Sequence, residues 1–133
     1  MYLSKLSVEQ KNAFLDACIY IANADNFVAK EEKVLIDSLC EEMNLPCREV
    51  ASLDFNVAID NLANSSNMEQ KKQLLFEFVG IVYSDNYIDQ KEVELIKIIM
   101  SRFEINENDY DRVMKMANDL FLLYKDINKY IKE

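Results

Sequence analysis

Asp25-Asn26-Phe27-Val28-Ala29-Lys30-Glu31-Glu32 returns sixty residues later as Asp85-Asn86-Tyr87-Ile88-Asp89-Gln90-Lys91-Glu92. The correspondence extends well beyond the turn. Cys18, Ile19 and Ile21 fall on Phe78, Val79 and Ile81, while Leu35, Ile36 and Leu39 fall on Leu95, Ile96 and Ile99. Further on, Cys40, Met43 and Leu45 fall on Met100, Phe103 and Ile105. A polar turn between apolar positions recurring at three- and four-residue intervals is the pattern of a helix–loop–helix unit. The chain therefore reads as two such hairpins, about residues 8–45 and 68–105, followed by a closing helix over about 107–131. One glycine and one proline in 133 residues leave few breakers, and no alternating Val/Ile/Thr run suggests a strand. The expected fold is all-α, a bundle of about seven helices forming a single domain over residues 1–133. At that length folding buries roughly 65–70% of the surface of the unfolded chain, enough for a core without staples.

In chain order, Ser7-Val8-Glu9-Gln10 has the form of a capping box and starts a helix with Phe14, Leu15, Cys18, Ile19 and Ile21 on its apolar face. Asn23 to Asn26 end it, since Asn and Asp tolerate the left-handed conformation. A second helix over about 30–44 buries Val34, Leu35, Ile36, Leu39, Cys40 and Met43, and Leu45-Pro46 stops it. Short helices are expected over 47–53 and 54–63, with Asn64 to Asn67 as the hinge between repeats. The segment from Met68 to Ser84 should be the longest buried helix. Gly80 in its middle costs about 1 kcal/mol relative to alanine, which a close helix–helix approach would justify. Asp89-Gln90-Lys91-Glu92 forms a second capping box, with Ile88 and Val93 as a hydrophobic staple. The closing helix carries apolar residues at three- and four-residue spacing from Tyr110 to Ile131 and should lie along the bundle.

With 24 acidic against 15 basic residues, the net charge of −9 opposes a nucleic-acid backbone or an anionic membrane surface as partner. The absence of histidine removes the usual zinc sets and any histidine-dependent triad in cis. Cys18 and Cys40 sit in apolar runs and read as buried inert thiols, which matches a reducing, cytoplasmic compartment. No targeting segment is expected, and the longest apolar run, Leu74 to Tyr83, is short of a span and carries Glu77.

Each repeated turn has an aspartate at its first position and a glutamate seven residues on, Asp25 with Glu32 and Asp85 with Glu92. Two carboxylates and turn carbonyls form the oxygen-only donor set that Ca²⁺ or Mg²⁺ prefers. If the two turns meet, four carboxylates share one patch and need a cation, a proton or solvent to relieve their repulsion. Glutamate at the third helical position is equally a capping partner, and Asp-Asn is ordinary turn chemistry. The spacing is not that of an EF-hand loop. Phe27 and Tyr87 either tuck under their turns or stand exposed as anchors for a partner.

The pattern Ala24-Asp25-Asn26-x-Val28-x-x-x-Glu32, with Ser84-Asp85-Asn86-x-Ile88-x-x-x-Glu92 as its second copy, resembles the TerB-like tellurite-resistance family signature, commonly A-D-G-x-[IV]-x-x-x-E. With its flanking helices the resemblance covers about residues 8–125. It implies a duplicated all-α hairpin fold and a bacterial cytoplasmic protein of the tellurite or chemical-stress response. It further implies metal binding at Asp25, Glu32, Asp85 and Glu92, and association into larger, membrane-linked complexes. Asn26 and Asn86 stand where the family has glycine, and aromatic Phe27 and Tyr87 follow them. These departures bear on whether the function is the same as in the tellurite-resistance proteins, while the stress-response expectation is kept.

The functional expectation is thus a non-enzymatic TerB-like module that binds a divalent cation and docks on a protein partner. A pure interaction or scaffold domain, oligomeric or not, in which the acidic turns are structural, is the alternative. A metal-assisted hydrolase ranks third, since no phosphate loop or nucleophile setting accompanies the carboxylates.

Overall fold

The computed structural model describes residues 1–24, 30–83 and 90–133, without the side chains of Glu31 and Glu32. Among these residues there are six α-helices and no strand: α1 (Val8–Ala22), α2 (Lys30–Met43), α3 (Phe55–Ser65), α4 (Met68–Val82), α5 (Gln90–Arg102) and α6 (Tyr110–Lys132). Short 3₁₀ turns at Leu3–Lys5 and Glu107–Asp109 precede α1 and α6. No helix among the described residues is long and apolar enough to cross a membrane.

Local chemistry sets the helix ends. At α1 the Gln10 amide donates to Ser7 Oγ at 3.1 Å while the Ser7 amide donates to Gln10 Oε1 at 2.9 Å. Sixty residues on, Asn67 and Gln70 make the same reciprocal pair at 2.8 and 3.0 Å, opening α4. Both boxes satisfy amides that have no partner inside the helix. At the other end of each hairpin, Asn44 and Glu104, again sixty apart, adopt φ values of 56° and 57°. That left-handed residue lets Leu45 N–H reach Cys40 O, and Ile105 N–H reach Met100 O, both at 2.9 Å, in Schellman closures. By contrast α1 ends without a left-handed residue at Asn23, whose φ is −99°. Its side-chain amide instead donates to Ile19 O at 2.7 Å.

Hydrophobic burial then selects which faces meet. α1 is the central helix, packed against α2, α3, α4 and α5, and it is more deeply buried than α4, which the sequence favours for that role. Phe14 and Phe78 are fully buried, with ring centroids 4.7 Å apart, and join α1 to α4. Ile96, Ile99 and Phe103 bring α5 into the same core. At the rim, Tyr20 of α1 stacks on Phe55 of α3 at 4.9 Å, and Arg102 of α5 reaches Asp60 at 2.8 Å and Asn56 at 3.0 Å on α3. The Lys97 ammonium sits 5.0 Å from the centre of the Tyr110 ring, fixing the start of α6 on α5.

Four expectations are corrected. Residues 47–53 are not helical. Their polar groups are engaged by Asp16, an α1 carboxylate only 1% exposed, which accepts from Ser52 N–H at 2.9 Å, Leu53 N–H at 3.1 Å and the Arg48 guanidinium. Amides held this way have no reason to form a helical ladder. Cys40 is not a free thiol but is joined to Cys47, because the left-handed turn at Asn44 folds the chain back to a Cα separation of 5.5 Å. Cysteine usage therefore carries no argument for a reducing compartment. Cys18 is the free, buried cysteine; burial, reinforced by the Glu77 charge, pushes its thiol well above the usual range, so it is inert as read. Val34 is 60% exposed, and Gly80 makes no close helix–helix approach, since a Cβ built on it would meet nothing within 4 Å among the described residues. The last two corrections have a common cause, described next.

Candidate functional site

The acidic turns are the sites singled out by the sequence, and most of each lies outside the described residues. Asp25, Phe27, Asp85 and Tyr87 fall there, as does the side chain of Glu32. Glu92 is described: it occupies the first turn of α5 and is 4% exposed, one of three buried polar residues, with Gln10 and Asp16, among the described residues. A carboxylate at a helix N-terminus is favoured by the amide dipoles there. Among the described residues no group of three or more acidic or cysteine side chains is arranged to hold a metal ion.

What the described residues do build is an apolar groove of about 630 Å³ between α2, α4 and α6. One wall is α2, where Val34 and Ser38, then Leu35 and Leu39, repeat at four-residue intervals. The floor is the outer face of α4, formed by Phe76, Gly80 and Tyr83 at i, i+4 and i+7. The far wall is α6, through Ala117, Leu120, Phe121 and Tyr124. Helical periodicity thus places a second apolar face on α4, opposite the one that packs on α1. Val34 is exposed because it lines this open space, and the Gly80 Cα faces it too.

Polar groups are few. Lys30 and Tyr83 contribute from the start of α2 and the end of α4. Burial raises the Tyr83 phenol above its ordinary pKa, so it stays protonated and can donate. Glu77 also lines the groove, and its Oε1 accepts from the Met1 amine at 2.8 Å; the same amine reaches Glu42 at 2.9 Å, tying α2 to α4. Desolvation would lower the amine's pKa, but the hydrogen bonds to Glu77 and Glu42 and the charges of both together leave it raised.

The closing helix differs from its expected placement. Its 23 residues hold only Met114 and Ala117 buried. Leu120 and Phe121 are half-buried, and Tyr124, Ile127 and Ile131 are exposed, the last at 69%. The spacing foretold the apolar face correctly; what it does not encode is whether another element lies opposite. Beyond Phe121, none among the described residues does so closely.

The chemistry available is therefore recognition of an apolar surface with a small polar rim. Signals for it were present in the sequence as Gly80 inside an apolar helix and as a long α6 stripe with no counterpart in the repeats. Comparison of the chain with protein-family models, with curated proteins and with solved structures finds no match in any of the three.

Proposed function

We propose that this chain is a non-enzymatic helical interaction module that takes an amphipathic helix into the groove between α2, α4 and α6. The carrying observation is Gly80. A glycine in mid-helix costs about 1 kcal/mol against alanine, and no neighbour within 4 Å among the described residues requires it here. Its effect is to widen an apolar trough walled by three helices, the geometry that suits a helix laid in a groove. Few convergent polar groups and no histidine make a reaction site the poorer reading.

The TerB-like reading, with its stress-response role, belongs to the same proposal. It is supported by the matched capping boxes at Ser7 and Asn67 and the matched left-handed closures at Asn44 and Glu104. Divalent-cation binding at the acidic turns is a second reading, favoured by the burial of the Glu92 carboxylate beside one of them. Millimolar Ca²⁺ or Mg²⁺ added to chelated protein should then raise the melting temperature. An unchanged melting temperature removes the cation and leaves the groove untouched.

Titration with the apolar dye 8-anilinonaphthalene-1-sulfonate tests the groove. Gly80→Leu fills it and should weaken dye binding about tenfold or more. Gly80→Ala should retain binding and stabilise the fold by up to about 1 kcal/mol, since the added methyl meets nothing. Equal dye affinity in wild type and Gly80→Leu would reject the groove as a binding surface.

A further inference from the structure

We infer that the helix received by the groove is α6 of a second copy of this chain, the two copies related by a two-fold axis that sets their α6 helices antiparallel. This inference rests on the docking reading above and names its occupant. The α6 seam runs through Ala117, Leu120, Tyr124, Ile127 and Ile131 at alternating three- and four-residue steps, the repeat of a helix that packs lengthwise on another helix. The body of the molecule covers this seam only as far as Phe121. Beside it runs a second row, Met116, Leu123 and Tyr130, spaced by seven and exposed throughout, Tyr130 at 77%. Scattered apolar residues on a surface need no explanation, but two parallel rows on one helix mark a contact face.

Geometry, charge and area favour the second copy over an unrelated helix. α6 is itself a wall of the groove, so any helix seated there lies along α6. A two-fold pair makes each α6 both wall and occupant, which is the self-complementarity that an isologous interface requires. Residues 110–133 carry five basic and four acidic side chains, whereas residues 1–109 carry ten basic and twenty acidic. α6 is thus the segment that a second acidic copy repels least, and its last turns bring Lys125, Lys129 and Lys132 toward that copy's acidic body. The exposed α6 rows and Val34 supply seven large apolar side chains between 42% and 77% exposed, the apolar material for the ~800 Å² that each partner gives to a standard stable interface.

Sedimentation of the full chain decides the matter. Wild type should be dimeric at about 100 μM and dissociate on dilution. Ile127→Glu with Ile131→Glu should leave a monomer of unchanged helicity, because neither side chain is buried in the body. Gly80→Leu should also give a monomer, from the groove side. A wild type that stays monomeric at about 100 μM, or a dimer that survives either change, overturns the second copy as occupant. A monomeric wild type whose dye binding still depends on Gly80 keeps the groove and loses only the occupant; one whose dye binding is indifferent to Gly80 loses both.

Discussion

Replacing Asp16 by alanine should cost about 3–5 kcal/mol of folding stability, the range seen when one partner of a buried ion pair is removed. Asp16 is enclosed on α1, and its two oxygens accept from the Ser52 and Leu53 amides and the Arg48 guanidinium. The substitution deprives all three donors at once; the Leu53 amide and the Arg48 guanidinium are half-buried and Ser52 is exposed, so the about 1–3 kcal/mol cost of a buried donor left without a partner applies only in part to each. Arg48 keeps its contact with Asn12 Oδ1 at 3.1 Å but loses its counter-charge. Because the segment from Cys47 to Asp54 is non-helical, the Asp16 bonds are its main attachment to α1. In a chain of this size the loss should lower the melting temperature by about 10–20 °C. Arg48→Ala should cost less, about 1–3 kcal/mol, since both amides still hold the carboxylate. Urea unfolding with an unchanged slope measures both, and a cost below about 1 kcal/mol for Asp16→Ala would mean that water replaces the carboxylate at no penalty.

Phe78→Ala should cost a further 3–5 kcal/mol or about that, by a different mechanism. The ring is fully buried between α1 and α4 and lies 4.7 Å from that of Phe14. Its removal forfeits the transfer free energy of an aromatic side chain and leaves a cavity that two helices held by neighbouring contacts do not close. The Phe14→Ala, Phe78→Ala double variant should be less destabilised than the sum of the singles by about 0.5–1.5 kcal/mol, the coupling of a direct aromatic pair. Val34→Ala, by contrast, should fall within about 0.5 kcal/mol of wild type, because Val34 lines the open groove. Equal costs at Phe78 and Val34 would contradict this division between core and groove.

The helices were legible because their signals are local. Ser7 with Gln10 announces α1, Leu45-Pro46 ends α2, and the three- and four-residue spacing of Leu74, Leu75, Phe78 and Val79 identifies α4. What escaped depends on distant chain. Asp16 sits inside an apolar stripe as if on a polar edge, and only the arrival of residues 48–53 makes it a buried acceptor. Cys40 meets Cys47 because Asn44 turns left-handed, a conformation that Asn permits but does not compel. Val34 and the end of α6 belong to apolar faces that periodicity detects, yet periodicity is silent about what stands opposite. Of the four carboxylates Asp25, Glu32, Asp85 and Glu92, only Glu92 is a described side chain, and it is buried.

Hydrogen exchange along α6 across a dilution series tests most directly whether the groove receives α6 of a second copy. An occupied groove should protect the amides of residues 124–131 at high concentration, with protection falling on dilution and absent in Gly80→Leu. Fast exchange of that segment at every concentration, identical in wild type and Gly80→Leu, would contradict it.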